Sequence, residues 1–148
     1  MENELLLVLL QRATHVTLQV LGTELAELRL TASELNVLAN LADGQPRTVS
    51  EIGAAAGVRP TTLTGVLDRL EQKGLLARSA RAGDRRAVEI SLTSAGARSA
   101  ARVAEVFAEV EARALGGVPE TAVKQTRRTL TALTALTGLT GLSAVEES

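Results

Sequence analysis

Four arginines, Arg78, Arg81, Arg85 and Arg86, crowd around Gly83 and Asp84 in the stretch RSARAGDRRAVEISLT. A guanidinium is a permanently charged fork of donors. It suits phosphate oxygens and the focused negative potential of a narrow minor groove. Just upstream, PTTLTGVLDRLEQKG offers Thr61, Thr62, Thr64 and Gly65. Threonine presents a hydroxyl to base edges or phosphates and a methyl to thymine, and glycine lets a backbone approach closely. Other chemistries lack their residues. There is no cysteine, and the single histidine, His15, cannot build a multi-histidine metal site. No nucleophile–base pair, metal cluster or glycine-rich phosphate loop is present. Asp68, Asp84 and Glu89 have simpler roles than acid–base catalysis, Asp68 as the partner of an arginine. The expectation is a protein with no catalytic residues, no metal and no cofactor: not an enzyme.

Charge singles out the same region. The 148-residue chain has a formal net charge of −1, yet residues 44–94 hold eight Lys/Arg against five Asp/Glu, and the remainder eight against twelve. A basic middle between acidic flanks is the coarse footprint of a phosphate-facing segment. The length is one domain's worth. With 45% apolar residues but only 1% aromatic, the core must be leucine, valine and alanine, a composition that favours helices. The start, MENELLLVLL, lacks the basic opening of a secretory signal and reads as mature structure. No apolar run reaches a membrane span, so a cytoplasmic protein without membrane contact is expected.

The elements that must position the arginines and threonines follow from periodicity. Residues 5–21 read as a helix whose apolar face holds Leu5, Leu6, Leu9, Leu10, Ala13, Val16 and Val20. Thr31 and Glu34 form a capping box, with Leu30 and Leu35 as its hydrophobic staple; Leu35, Leu38, Ala39 and Ala42 then line one side. Thr48 and Glu51 repeat the box for a short helix ended by Gly57. Pro60 opens the next, with Leu63, Val66, Leu67 and Leu70 as its buried stripe. Two strand-like runs, 75–80 and 87–92, flank the loop RAGDRR. Thr93 caps a helix carrying Ala97, Ala101, Val103, Val106, Phe107 and Val110. A last helix carries Val123, Leu130, Leu133, Leu136 and Leu139.

Short helix, tight turn, polar-faced helix and basic hairpin together make a winged helix-turn-helix: mainly α with a small β-hairpin wing. Its polar helix enters the major groove with Thr61, Thr62, Thr64, Gly65 and Arg69, the last at the edge of that face and nearer phosphate than bases. The wing carries Asp84, Arg85 and Arg86 to the minor groove. Arg47, Arg59, Arg78 and Arg81 are candidate phosphate contacts.

LTASELNVLANLADG, TVSEIGAAAGVRPTTLTGVLDRLEQKGLLAR and, above all, GDRRAVEISLTSAG resemble the MarR family of bacterial transcriptional regulators over residues 30–96. The resemblance implies a homodimer on a pseudo-palindromic double-stranded DNA site, usually a repressor released by a small, often anionic ligand. It implies a single domain over 1–148. Residues of about 1–25 and 95–142 would be dimerisation helices, about 31–94 the DNA-binding lobe, and 143–148 a flexible tail. It makes 60–73 the recognition helix and has Asp84 orient Arg86. Oxidation-sensing members use a cysteine near the N-terminus; this chain has none, which excludes that mechanism. Arg12 and His15, one turn apart, are the candidate pair for an anionic ligand; the simpler role of His15 is a hydrogen bond at a half-buried or interface position. The rival reading is a winged-helix protein–protein interaction module without DNA binding, which need keep neither the polar helix face nor the basic wing.

Overall fold

The computed structural model describes residues 3–138. Helix α1 (Leu6–Glu24) has no side-chain cap and leads through a 3-10 turn (Ala26–Leu28) into α2 (Ala32–Leu41). Both predicted capping boxes form. Thr31 Oγ1 accepts from Glu34 N at 3.2 Å and Glu34 Oε2 from Thr31 N at 2.9 Å. The pair Thr48–Glu51 repeats this at the start of α3 (Val49–Ala56). Gly57, at φ +66°, ends α3 in the left-handed region that a side chain disfavours. The tight turn then feeds α4 (Pro60–Gln72), with proline in its first turn.

Strands β1 (Arg47–Thr48), β2 (Leu76–Arg81) and β3 (Asp84–Leu92) form an antiparallel sheet in the order β1-β3-β2. Two features differ from the sequence expectation. The two-residue strand β1 pairs Arg47 with Ile90 and Thr48 with Glu89; a strand this short has no alternation to read. The hairpin is also tighter than a six-residue loop. Arg81 pairs with Asp84 across a turn of Ala82 and Gly83, and Gly83 at φ +85° permits it. The register then jumps, so that Ala80 faces Val88 and residues 85–87 have no counterpart on β2. This bulge holds Arg85 and Arg86.

The core of the first compact unit, residues up to Val110, is aliphatic: Leu21 and Leu25, then Leu35, Val37, Leu38 and Leu41 of α2, Ile52 of α3, Leu63, Val66, Leu67 and Leu70 of α4, and Leu76 and Ile90 of the sheet. It is closed by α5 (Ser94–Leu115) through Gly96, Ala100, Val103 and Val106. Ala97 and Ala101, expected on this stripe, are exposed instead. The phase is set by Gly96, whose missing Cβ would lie 1.8 Å from the Leu75 carbonyl oxygen. Only glycine lets α5 cross there. Thr93 caps this helix by accepting from Gly96 N at 3.0 Å, while its hydroxyl donates to the Gly74 carbonyl at 2.6 Å.

Much of the apolar face predicted for α1 is not in this core. Leu5, Leu6, Leu9 and Val16 are 48–74% exposed. The second unit, from Glu111, holds the end of α5 and α6 (Glu120–Thr134), joined by an Arg127–Glu111 ion pair at 2.8 Å. At Ala135 the chain tightens into a 3-10 turn (Ala135–Gly138). Leu139 and the expected tail at 143–148 lie outside the described residues. No described helix is long and apolar enough to cross a membrane.

Candidate nucleic-acid interface

Helix α4 divides cleanly. Its leucine–valine stripe is buried, while Thr61, Thr62, Thr64, Asp68 and Gln72 are exposed and Gly65 is half-buried. The three threonines are not equivalent. Thr64 Oγ1 already donates to the Pro60 carbonyl at 3.0 Å, which leaves its lone pairs and methyl for a ligand. No side-chain hydrogen bond engages Thr61 or Thr62 among the described residues, so both hydroxyls remain free to donate and accept. Arg59 is the N-cap residue of α4. Its carbonyl accepts from Thr62 N and Leu63 N, and its exposed side chain caps nothing. The Arg59 side chain thus leaves the backbone at the positive end of the helix dipole.

Helix α4 is anchored from behind by a residue that sequence reading noticed only as a cap. Glu34 is completely buried. Its carboxylate accepts from Arg69 Nε at 3.1 Å and from Lys73 Nζ at 2.8 Å, besides Thr31 N. Lys73 Nζ also donates to the Arg29 carbonyl at 3.2 Å, and Arg29 holds a left-handed φ of 53°. Burial alone would push the Glu34 carboxyl up. The hydrogen bonds from Lys73, Thr31 and Arg69 outweigh it and hold the group below the ordinary range. Arg69, grouped by sequence with the major-groove residues, is therefore tied to α2 through Nε. No signal in the sequence marked a buried glutamate 35 residues away.

In the wing, Asp84 Oδ1 accepts from the Arg86 main-chain N–H at 3.0 Å. The orienting contact implied by the resemblance is thus made to the backbone. It fixes the bulge from which the Arg86 side chain projects. Arg85 and Arg86 are exposed, and neither has a carboxylate partner among the described residues. The other predicted phosphate contacts do. Arg47 makes a two-pronged pair with Asp43, 2.8 Å on one prong, which lowers the Asp43 carboxyl to about 2. Arg78 bonds Glu71 Oε2 at 2.7 Å and pairs with Asp68. Arg81 lies 3.2 Å from Glu51 and 3.0 Å from Glu89. Spacing on a strand cannot tell a solvent-facing arginine from one turned to a helix carboxylate.

Arg12 and His15 do not converge. Arg12 pairs with Glu4, and His15 Nδ1 donates to the Gln11 carbonyl at 2.7 Å. Neither lines the cavity of about 350 Å³ nearby. That space is bounded by Thr14, Thr17, Leu18 and Leu21 of α1, Ala32, Ser33, Leu35 and Asn36 of α2, and Phe107 of α5. The hydroxyls of Thr14 and Thr17 donate to carbonyls of their own helix, and Asn36 Nδ2 donates to the Ala56 carbonyl at 3.0 Å, where α3 ends. Among the described residues no group of three metal-binding side chains comes together.

The family model for the MarR family matches residues 30–88, which span α2 through the wing. The chain is 43% identical over 67 residues to the HTH-type transcriptional repressor MdtR of Bacillus subtilis (strain 168), covering 45% of this chain and 43% of MdtR. It is 38% identical over 105 residues to the HTH-type transcriptional regulator PecS of Dickeya dadantii (strain 3937), covering 69% of this chain and 63% of PecS. It thus spans less than two thirds of either relative. Among solved structures, CouR from Rhodococcus jostii RHA1, bound to p-coumaroyl-CoA, superposes with a TM-score of 0.77 at 28% identity, over 85% of this chain and 89% of that one.

Proposed function

The chain belongs to the MarR family, and from that premise we propose that it is a transcriptional regulator, acting as a repressor, that binds double-stranded DNA as a homodimer. The observation that carries this reading is the pairing of one polar helix face with one unpaired cationic tip. Thr61, Thr62, Thr64 and Gly65 present a surface shallow enough for the major groove, and Arg85 and Arg86 are charges with no carboxylate partner among the described residues. Major-groove contacts then specify sequence, while Arg59 at the helix start supplies phosphate attraction. Phosphate contacts by Arg47, Arg78 and Arg81 would have to compete with their carboxylates, and Arg69 would reach DNA only with the nitrogens that Glu34 leaves free. The regulator acts in the cytoplasm, where its DNA is, and catalyses nothing.

The exposed leucines of α1 support the dimer, because a contiguous apolar face of this kind marks an interaction surface. Two recognition helices must be held about one helical turn apart, roughly 34–36 Å, to read two half-sites. The cavity between α1, α2 and α5 is our candidate for an effector site. It has no charged side chain in its lining, so it favours a neutral ligand over the anion suggested by Arg12 and His15. CouR, a structural relative, is the precedent for ligand binding by such a fold. Selection of bound sequences from a random duplex pool tests the DNA reading. The expected result is an inverted repeat with half-sites one turn apart; recovery of unenriched sequence overturns it.

A further inference from the structure

Two of the four wing arginines point inward rather than outward, and they leave the hairpin on opposite sides. Residues opposite one another in the ladder share a face. Arg78 therefore lies on the face of Leu76 and Ile90, which packs on the core, and odd-numbered Arg81 lies on the other. Arg78 reaches back to Asp68 and Glu71, one turn apart on α4. Arg81 is held between Glu89 of its own hairpin and Glu51 of α3. Glu51 is itself fixed, because its other oxygen accepts from Thr48 N at 3.1 Å in the capping box. That main-chain bond, with Arg81 adding to it, holds the Glu51 carboxyl below its ordinary range.

We propose that Arg81, with Arg78, is a positioning residue: a latch that ties the wing to the two helices of the helix-turn-helix and so sets where Arg85 and Arg86 stand relative to α4. The inference rests on the DNA-binding reading above. A two-stranded ribbon is marginally ordered on its own. Its base is packed through Leu76 and Ile90, but beyond the Ala80–Val88 rung no residue is fully buried and Ala87 alone is half-buried. The arginine–carboxylate contacts are what constrain the tip. In this role the hairpin's charges divide the work: two arginines aim the wing, and two meet the DNA.

The latch and a direct phosphate contact predict opposite signs for one substitution. Glu51→Gln keeps a capping-box residue, removes a negative charge near DNA and cuts the tie of Arg81 to α3, leaving only its pair with Glu89. If Arg81 served phosphate, this variant would bind DNA more tightly. The latch requires weaker binding, roughly two- to tenfold, the scale of an exposed ion pair repeated in two subunits. The experiment titrates the tightest duplex from a random-pool selection with wild type, Glu51→Gln, Arg81→Ala, the double variant and Arg86→Ala over a salt series. The expected result is that Glu51→Gln and Arg81→Ala each weaken binding, and the double variant is no worse than Arg81→Ala alone. Salt slope and melting temperature should match wild type for Glu51→Gln, Arg81→Ala and the double variant. Tighter or unchanged binding by Glu51→Gln overturns the latch. So does a slope for Arg81→Ala that falls by about 0.9 per phosphate released. Arg86→Ala keeps the two failures apart: if it too is silent, the wing does not contact DNA and the underlying reading falls.

Discussion

Gly96→Ala should be among the most damaging single-methyl additions in this chain. The added Cβ would meet the Leu75 carbonyl oxygen at 1.8 Å, its carbon at 2.8 Å and its Cα at 3.2 Å. All three are backbone atoms, so no side chain can swing away. Relief requires α5 to withdraw by more than 1 Å. The same carbonyl accepts from Thr93 N at 3.1 Å, and Thr93 Oγ1 donates to Gly74. Withdrawal therefore strains two hydrogen bonds, at about 0.5–1.5 kcal/mol each, and loosens Ala100 and Val103 in the core, an overpacking cost of about 1–3 kcal/mol. Alanine's helix propensity returns about 1 kcal/mol. The net expectation is a loss of about 1–5 kcal/mol, which for a chain of this size lowers Tm by roughly 2–20 °C. Thermal unfolding followed by circular dichroism reads it. Gly22→Ala is the control: it lies in α1 with nothing within 4 Å, and it should stabilise by about 0.5–1 kcal/mol. A Gly96→Ala protein that melts at or above wild type would refute the reasoning.

Glu34→Gln should cost about 1–3 kcal/mol at neutral pH, since it removes the charge that Lys73 and Arg69 satisfy. The native carboxyl is held below the ordinary glutamate value of about 4.3. Its contribution is therefore complete above that value and is lost as pH falls through the lower native one. Urea titrations should show the two proteins converging in acid, and a gap that persists at pH 2 would contradict the assignment. Leu9→Glu with Val16→Glu should convert a dimer to a 15.5 kDa species in analytical ultracentrifugation. Four apolar side chains lost per dimer, at about 1.5–3 kcal/mol each when buried, exceed what most dimers can spare; an unchanged dimer would remove α1 from the interface. Thr62→Ala should redistribute preference among operator variants by roughly two- to tenfold per half-site. Thr64→Ala, whose hydroxyl is already donated to Pro60, should do less.

Local signals in the sequence foretold local structure. Both capping boxes, the buried stripe of α4, the proline start and the glycine stop appear in the structure because each is decided within one or two turns of chain. The wing was legible as a hairpin, but its two-residue turn and bulge were not. Those depend on how β3 slips past β2 once Ile90 and Leu76 are buried. The phase of α5 was misread by one residue because a backbone crossing at Leu75, not apolar periodicity, selects its buried face. The arginines were found as residues but not as roles. Arg47, Arg69, Arg78 and Arg81 look like Arg85 and Arg86 in one dimension. Folding brings carboxylates to the first four, and the bulge leaves the last two without a carboxylate among the described residues.

The central claim is that the wing tip contacts DNA, and Arg86→Ala tests it most directly. The side chain is exposed and makes no hydrogen bond or ion pair among the described residues, so fold and assembly should be unchanged. A specific arginine contact contributes about 1–3 kcal/mol, and a dimer has two. Titrated against the selected operator and a scrambled duplex at two salt concentrations, the variant should lose affinity by at least tens-fold on the operator and show a shallower salt dependence. Wild-type affinity with an unchanged salt slope would contradict the account.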